Sequence, residues 1–210
     1  MKSIEDFEPF VAAYATFIPS EIIQHSIRET IVEFMRETKI ARDTTEIETQ
    51  EKVHDYILDI DECRRIVKVQ RVEISPKHCS GREHWSHLRQ GDDADYTIEL
   101  RRGDHPIIIF RDEYKKPHKV RIEYSWALGR DTCDIPDFIY EDFMDAIVAG
   151  TLGRLAMLPD AAHLAPAYQM MMHKWTAAIQ EAKIEKSGGR AKKIVGGAFI
   201  SSRRRGSVWR

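Results

Sequence analysis

The fold is decided by the stretch Asp134–Asp160, which reads DIPDFIYEDFMDAIVAGTLGRLAMLPD. Pro136 suits the first turn of a helix, and the acids on either side of it favour the positive end of the helix dipole. Pro159 should end this helix, and a second apolar stripe at helical spacing then follows. Its members are Leu164, Tyr168, Met171, Trp175, Ala178 and Ala182. The stretch therefore predicts a helical hairpin that runs to Lys186.

Small residues lie along one side of the first helix of this hairpin, at Ala146, Gly150 and Gly153. Each glycine inside a helix costs about 1 kcal/mol relative to alanine, so the two of them require compensation. Close approach of a neighbouring helix would supply it. We therefore predict that these three residues, with Met171 and Trp175, pack the subunit. A core contact within one subunit is favoured over a seam between subunits.

Two helices are predicted before the hairpin. A short one ends before Pro19, and a longer one runs from Ser20 to Lys39. The short helix carries apolar residues three and four positions apart, at Ile4, Phe7, Val11 and Tyr14.

Near Thr44 the pattern changes to the alternation typical of strands, which is clearest over Val120–Trp126. Four or five short strands are expected there, as a small antiparallel sheet or open barrel. The sequence thus predicts an α+β protein that is mainly a helical bundle with an inserted small antiparallel β-sheet or barrel and an extended C-terminal arm. Residues 1–43 and 134–186 would form the helical domain, residues 44–133 the inserted β subdomain and residues 187–210 the arm.

The arm differs in charge from the rest of the chain. Residues 187–210 contain seven basic residues and no acid, and the whole chain has a formal net charge of -2, which leaves about -9 on residues 1–186. The arm also keeps large apolar side chains that a purely solvated linker rarely carries. We predict that it docks on another protein through Ile194, Phe199, Ile200, Arg203, Arg204, Arg205, Val208, Trp209 and Arg210.

An alternative is a DNA-binding accessory protein. The cluster Arg203–Arg205 could neutralise phosphates, and Phe199 and Trp209 could stack on bases. The acidic body would repel a duplex, however, so protein docking is the favoured interpretation. An acidic wall is instead suited to a DNA conduit, because it lets the polyanion slide.

No catalytic or metal motif stands out. His78, Cys79, His84 and His87 lie close in sequence, but adjacent His78 and Cys79 cannot easily serve one zinc ion, so a polar loop is the favoured interpretation. Nucleophile-elbow and phosphate-loop spacings are missing from the sequence. We therefore expect no enzymatic activity, no metal and no cofactor. No apolar run approaches the roughly 20 residues of a membrane span, and the acids near the N-terminus argue against export.

The stretch Ile135–Pro159, together with the preceding Ile122-Glu123-Tyr124, resembles a conserved helix of a known family. That family is the head-to-tail adaptor, or connector, proteins of short-tailed bacteriophages. The resemblance covers most of residues 5–186, and residues 187–210 match in character more than in sequence.

The resemblance implies a virion structural protein of the neck, made in the host cytoplasm. Such adaptors form a ring, usually of twelve copies, beneath the portal vertex. Their C-terminal arms grip the portal protein, their β part faces the tail nozzle or tail tube, and genomic DNA passes through the lumen without sequence recognition. In that arrangement the helices Ser20–Lys39 and Asp137–Lys186 would form the subunit core and the ring contacts.

Overall fold

The structure is a computed structural model, and it describes residues 2–61, 63–76, 85–90, 95–99, 106–112, 114, 116–129 and 134–186. The chain is α+β, with four α-helices and seven strands in two antiparallel sheets. About 46% of the described residues are helical and about 29% lie in strands.

The helices lie at the two ends of the described chain. The first group is a 3-10 turn at Ile4–Asp6, helix α1 at Glu8–Ala12 and helix α2 at Ser20–Thr38. The second group is helix α3 at Asp137–Leu155, a 3-10 segment at Pro159–Ala167 and helix α4 at Tyr168–Lys186. Pro159 and Pro166 lack the backbone N–H that an α-helix requires, which explains why the 3-10 segment delays the start of α4.

The strands form two sheets. The larger has the order β1-β7-β3-β4 and the smaller has the order β2-β6-β5. Their bounds are β1 Arg42–Glu48, β2 Asp55–Ile57, β3 Arg64–Pro76, β4 Ser86–His87, β5 Tyr96–Glu99, β6 Ile107–Phe110 and β7 His118–Leu128. All pairings are antiparallel, and β3 pairs with β7 along its whole length with two register shifts, at Ile66/Lys68 and Val69/Arg71.

The prediction of a mainly helical bundle with a small β insertion is wrong. The sequence pattern missed strand β1, because Ile47 is its one apolar residue and its outward side chains are charged or polar. It also underestimated β3 and β7, which are 13 and 11 residues long. The predicted domain boundaries at 43/44 and 133/134 stay predictions, and the arm lies outside the described residues.

One apolar core joins the helices to the sheets. Helices α2 and α3 pack on each other and each also packs on α1 and α4, and α2 packs on β7 as well. Fully buried side chains come from both layers. They include Phe7, Ile27, Ile31 and Phe34 from the helical part and Leu58, Ile108, Phe110 and Ile122 from the strands.

The two glycines of α3 face α4 within the same chain. A Cβ atom on Gly150 would lie 2.6 Å from Trp175 Cε3 and 2.9 Å from Thr30 Cγ2, whereas one on Gly153 would lie 2.7 Å from Met172 Sδ. Gly150 therefore meets a buried indole ring, and Gly153 meets the end of a flexible side chain. These contacts lie within one subunit and explain why both positions are glycine. A role of these glycines in contacts between subunits of a ring stays a prediction.

We expect Gly150→Ala to destabilise the protein by about 1–2 kcal/mol, because overpacking at Trp175 outweighs the gain in helix propensity. Gly153→Ala is the matched control, and it should be neutral or stabilising by up to about 1 kcal/mol because Met172 can move. Urea unfolding of both variants measures the difference. Equal effects of the two substitutions would contradict the proposed contact with Trp175.

Candidate interaction surfaces

An open groove of about 520 Å³ lies between α3 and α4. Its walls carry three acids, Asp142, Asp145 and Glu181, and two potentially basic groups, His173 and Lys174. Phe143, Ala146, Ala177 and Ala178 complete its lining. The three alanines leave room for bulky side chains of a partner, and the acids make this groove suitable for a basic segment.

A smaller pocket of about 210 Å³ lies where α2, α3 and α4 meet. Gly150, Gly153 and Trp175 line it, and an ion pair between Arg154 and Glu33 stands at its rim. The structure thus separates the predicted packing residues into three places. Gly150, Gly153 and Trp175 come together at this pocket, Ala146 lines the acidic groove, and Met171 is buried in the core.

Aromatic side chains are exposed at and after α1. Tyr14 is 60% exposed and Phe17 is 79% exposed, and Phe10 lies one turn earlier. His163 contacts Tyr14 and Phe17. Its ring centroid lies 6.0 Å from that of Phe17, and its Nε2 lies 2.9 Å from the carbonyl oxygen of Tyr14. Tyr14 belongs to the apolar stripe predicted for the short helix, yet its side chain is exposed, and the sequence pattern did not predict this patch. Phe10, Tyr14 and Phe17 do follow one another at helical spacing, so the signal was present.

The solvent-facing side of the four-stranded sheet carries paired charges. Glu46 on β1 lies opposite Arg121 on β7, with Oε1 2.7 Å from the guanidinium Nη2, and Arg121 also stacks on Trp85 at 4.1 Å. Arg42 reaches Glu123 at 3.5 Å, and Arg71 reaches Glu73 at 2.9 Å. Because opposite charges alternate across the strands, this face has no strong net charge with which to hold a polyanion.

The described part of the predicted polar loop shows no metal geometry. His87 contacts the guanidinium of Arg71 and lies 3.6 Å from Glu73, whereas His78, Cys79 and His84 lie outside the described residues. Among the residues that the structure describes, no group of three or more His, Cys, Asp or Glu side chains could hold a metal ion. All predicted docking residues of the arm, Ile194 to Arg210, also lie outside the described part.

The shifted pKa values belong to structural groups. Burial raises the pKa of Tyr114 to about 12, with smaller contributions from the charges of Asp112 and Asp95. Burial likewise raises the pKa of Tyr96. Hydrogen bonds donated by Gln24 and then by Ser20 lower the pKa of Glu8, which joins α1 to the start of α2. None of these described groups lines the groove or the pocket above, and their shifts arise from burial and local hydrogen bonds.

Comparison with protein family models and with curated protein sequences gave no match to this chain. Within the described part of the chain, none of the helices combines the length and the apolar character needed to cross a membrane.

The raised pKa of Tyr114 predicts a loss of stability in alkali. Between about pH 10 and about pH 12 the unfolded chain releases the phenolic proton while the folded chain keeps it, so the free energy of unfolding falls as pH rises. Tyr114→Phe should make this fall shallower. Urea unfolding at several pH values measures the slope, and Tyr14→Phe at an exposed ring is the control. A slope unchanged from that of the wild type would contradict the burial of Tyr114.

Proposed function

We propose that this chain is a head-to-tail adaptor of a short-tailed bacteriophage. In this role it forms a ring that joins the portal protein to the tail nozzle or tail tube, and the ring lines the passage for genomic DNA. The observation that carries the proposal is the stretch Ile135–Pro159, which resembles the adaptor helix in sequence. This stretch forms α3, which packs against α1, α2 and α4, so the resemblance concerns a helix of the subunit core.

The division of charge supports an arm that acts on another protein. Helix α4 ends at Lys186 next to the end of α2, where Lys183 Nζ lies 3.1 Å from Glu37 Oε2. The seven basic residues that follow continue from this point. A partner groove that is acidic and partly apolar would satisfy both the arginines and the Phe199 and Trp209 rings. On the portal, such a groove is what this arm would bind.

The charge pattern of the body suits a DNA passage without binding. The sheet face pairs most of its charges within the chain, and residues 1–186 are acidic overall. A surface of this kind offers few unpaired cations for phosphate neutralisation, so DNA would slide along it.

Removal of residues 187–210 tests the role of the arm. The truncated chain keeps every described helix and strand, so its circular dichroism and unfolding midpoint should match those of the full chain. Its binding to portal rings, measured by co-sedimentation and electron microscopy, should be lost. A full-length variant with Phe199→Ala and Trp209→Ala keeps the charge and isolates the apolar contribution. Undiminished docking of the truncated protein would refute the arm assignment.

DNA binding is the alternative outcome. If the arm acts on DNA, affinity for duplex DNA falls steeply with salt and disappears when Arg203, Arg204 and Arg205 are replaced by alanine. The proposed adaptor should instead bind duplex DNA weakly, and the same substitutions should reduce its docking to portal rings, because these arginines belong to the docking arm. The same set of variants, assayed against DNA and against portal rings, separates the two functions.

A further inference from the structure

The acidic groove between α3 and α4 carries charge that the described part of the chain leaves uncompensated. Asp142, Asp145 and Glu181 line the groove, and their side chains are exposed. Lys174 lines it as well, yet none of the three acids forms an ion pair with any residue that the structure describes. The groove therefore has carboxylates that a basic occupant could pair with.

Helix α3 places like charges side by side at this groove. Glu141 and Asp145 are four residues apart, and Asp142 and Asp145 are three residues apart, so these carboxylates are neighbours on the helix surface and repel one another. The one base within α3 is Arg154, and it pairs with Glu33 at the other end of the helix. A positively charged segment in the groove would reduce this repulsion.

The chain itself contains a complementary segment. Residues 187–210 carry seven bases and no acid, and the first three of these bases are Arg190, Lys192 and Lys193. Two apolar residues follow directly, Ile194 and Val195. The segment 190–195 thus combines positive charge with apolar side chains, and the groove combines three acids with alanines at positions 146, 177 and 178.

This segment begins close to the groove. Helix α4 ends at Lys186, five residues after Glu181, and five residues of α-helix rise by about 7.5 Å. The three residues 187–189 separate Lys186 from Arg190, and three residues of extended chain span about 10 Å. Two of them are glycines, which permit a tight reversal of the backbone. A chain that reverses after α4 therefore brings Arg190 level with Glu181.

We propose that residues 190–195 lie in the acidic groove of their own subunit in the free protein. The three bases face the acids of the groove, and Ile194 and Val195 cover its alanines. The same chain is favoured over a second copy, because a short tether holds the segment at a millimolar effective concentration. A partner that binds Ile194 has to displace it from the groove. This inference goes beyond the proposed function and needs neither a ring nor a portal.

Disulfide cross-linking tests the contact directly. Ala177→Cys places a thiol at an exposed position of the groove, and Lys192→Cys or Ile194→Cys places the second thiol in the segment. Oxidation should give an intramolecular disulfide, seen as a monomer that migrates faster without reductant, at every protein concentration. The background variant replaces the natural cysteines by serine at Cys63, Cys79 and Cys133.

The matched control moves the first thiol out of the groove. His25→Cys is also exposed, but it lies toward the start of α2, whereas Lys183 near the end of α4 pairs with Glu37 at the end of α2. Combined with Ile194→Cys, it should form the disulfide at least tenfold more slowly than Ala177→Cys does. Equal rates, or no disulfide at the groove, overturn the inference. Covalent dimers in place of the closed monomer overturn it too and assign the groove to the arm of a second copy.

Neutralising the groove tests the role of charge. Asp142→Asn, Asp145→Asn and Glu181→Gln together should make cleavage by trypsin after Lys192 and Lys193 at least tenfold faster, with unchanged circular dichroism. Mass spectrometry of the fragments identifies the cleaved bonds and measures their rates. A cleavage rate equal to that of the unmodified chain overturns the inference.

A control triple makes the same change in net charge at exposed acids outside the groove, and it should leave the cleavage rate unchanged. Its substitutions are Glu21→Gln, Glu51→Gln and Asp160→Asn. Equal acceleration by both triples overturns the inference, because the effect then follows net charge and not the groove. Failure to bind portal rings by a protein that still closes the groove disulfide refutes the proposed function alone.

Discussion

The packing of α2 against β7 is the contact on which the rest of the structure depends. It joins the helical layer to the four-stranded sheet. A backbone hydrogen bond, donated by Trp126 N–H to the Ala41 carbonyl oxygen, also connects the segment after α2 to β7. Ile27, Ile31 and Ile122 are fully buried in the core that these two elements share. Each such side chain contributes about 1.5–3 kcal/mol by leaving water, so a few of them set the scale of the whole stability.

Because β7 lies in the middle of this layer, it also determines what the sheet exposes. Its two neighbours, β1 and β3, both run in the direction opposite to β7, and β4 lies on the far side of β3. Ion pairs then link β1 to β7 on the exposed face, between Glu46 and Arg121 and between Arg42 and Glu123.

The helical layer provides different surfaces. The acidic groove lies between α3 and α4, and the exposed rings of Tyr14 and Phe17 lie at the end of α2 that is opposite to the end of α4. The acidic groove and the aromatic patch are thus two separate surfaces of the helical part.

Much of the helical part follows from the sequence. Pro136 and Pro159 bound α3, and the spacing of Trp175 and Ala182 identifies α4, because these signals act within a few residues of one another. The sequence also determines the division of charge between the body and residues 187–210. The glycine pair indicated a close approach, and the contacting side chains, Trp175 and Met172, come from the next α-helix in the sequence, α4.

Other features were decided only by tertiary structure. Strand β1 has a polar local pattern and becomes a strand because β7 supplies its hydrogen bonds and Arg121 pairs with its Glu46. The extent of the β part and the sheet order depend in the same way on partners that are far away in sequence. Local spacing carries no information about which strand will lie beside which. Which distant strands pair depends on the packing of the whole core and on the hydrogen bonds between the strands. Those contacts form only when the chain folds.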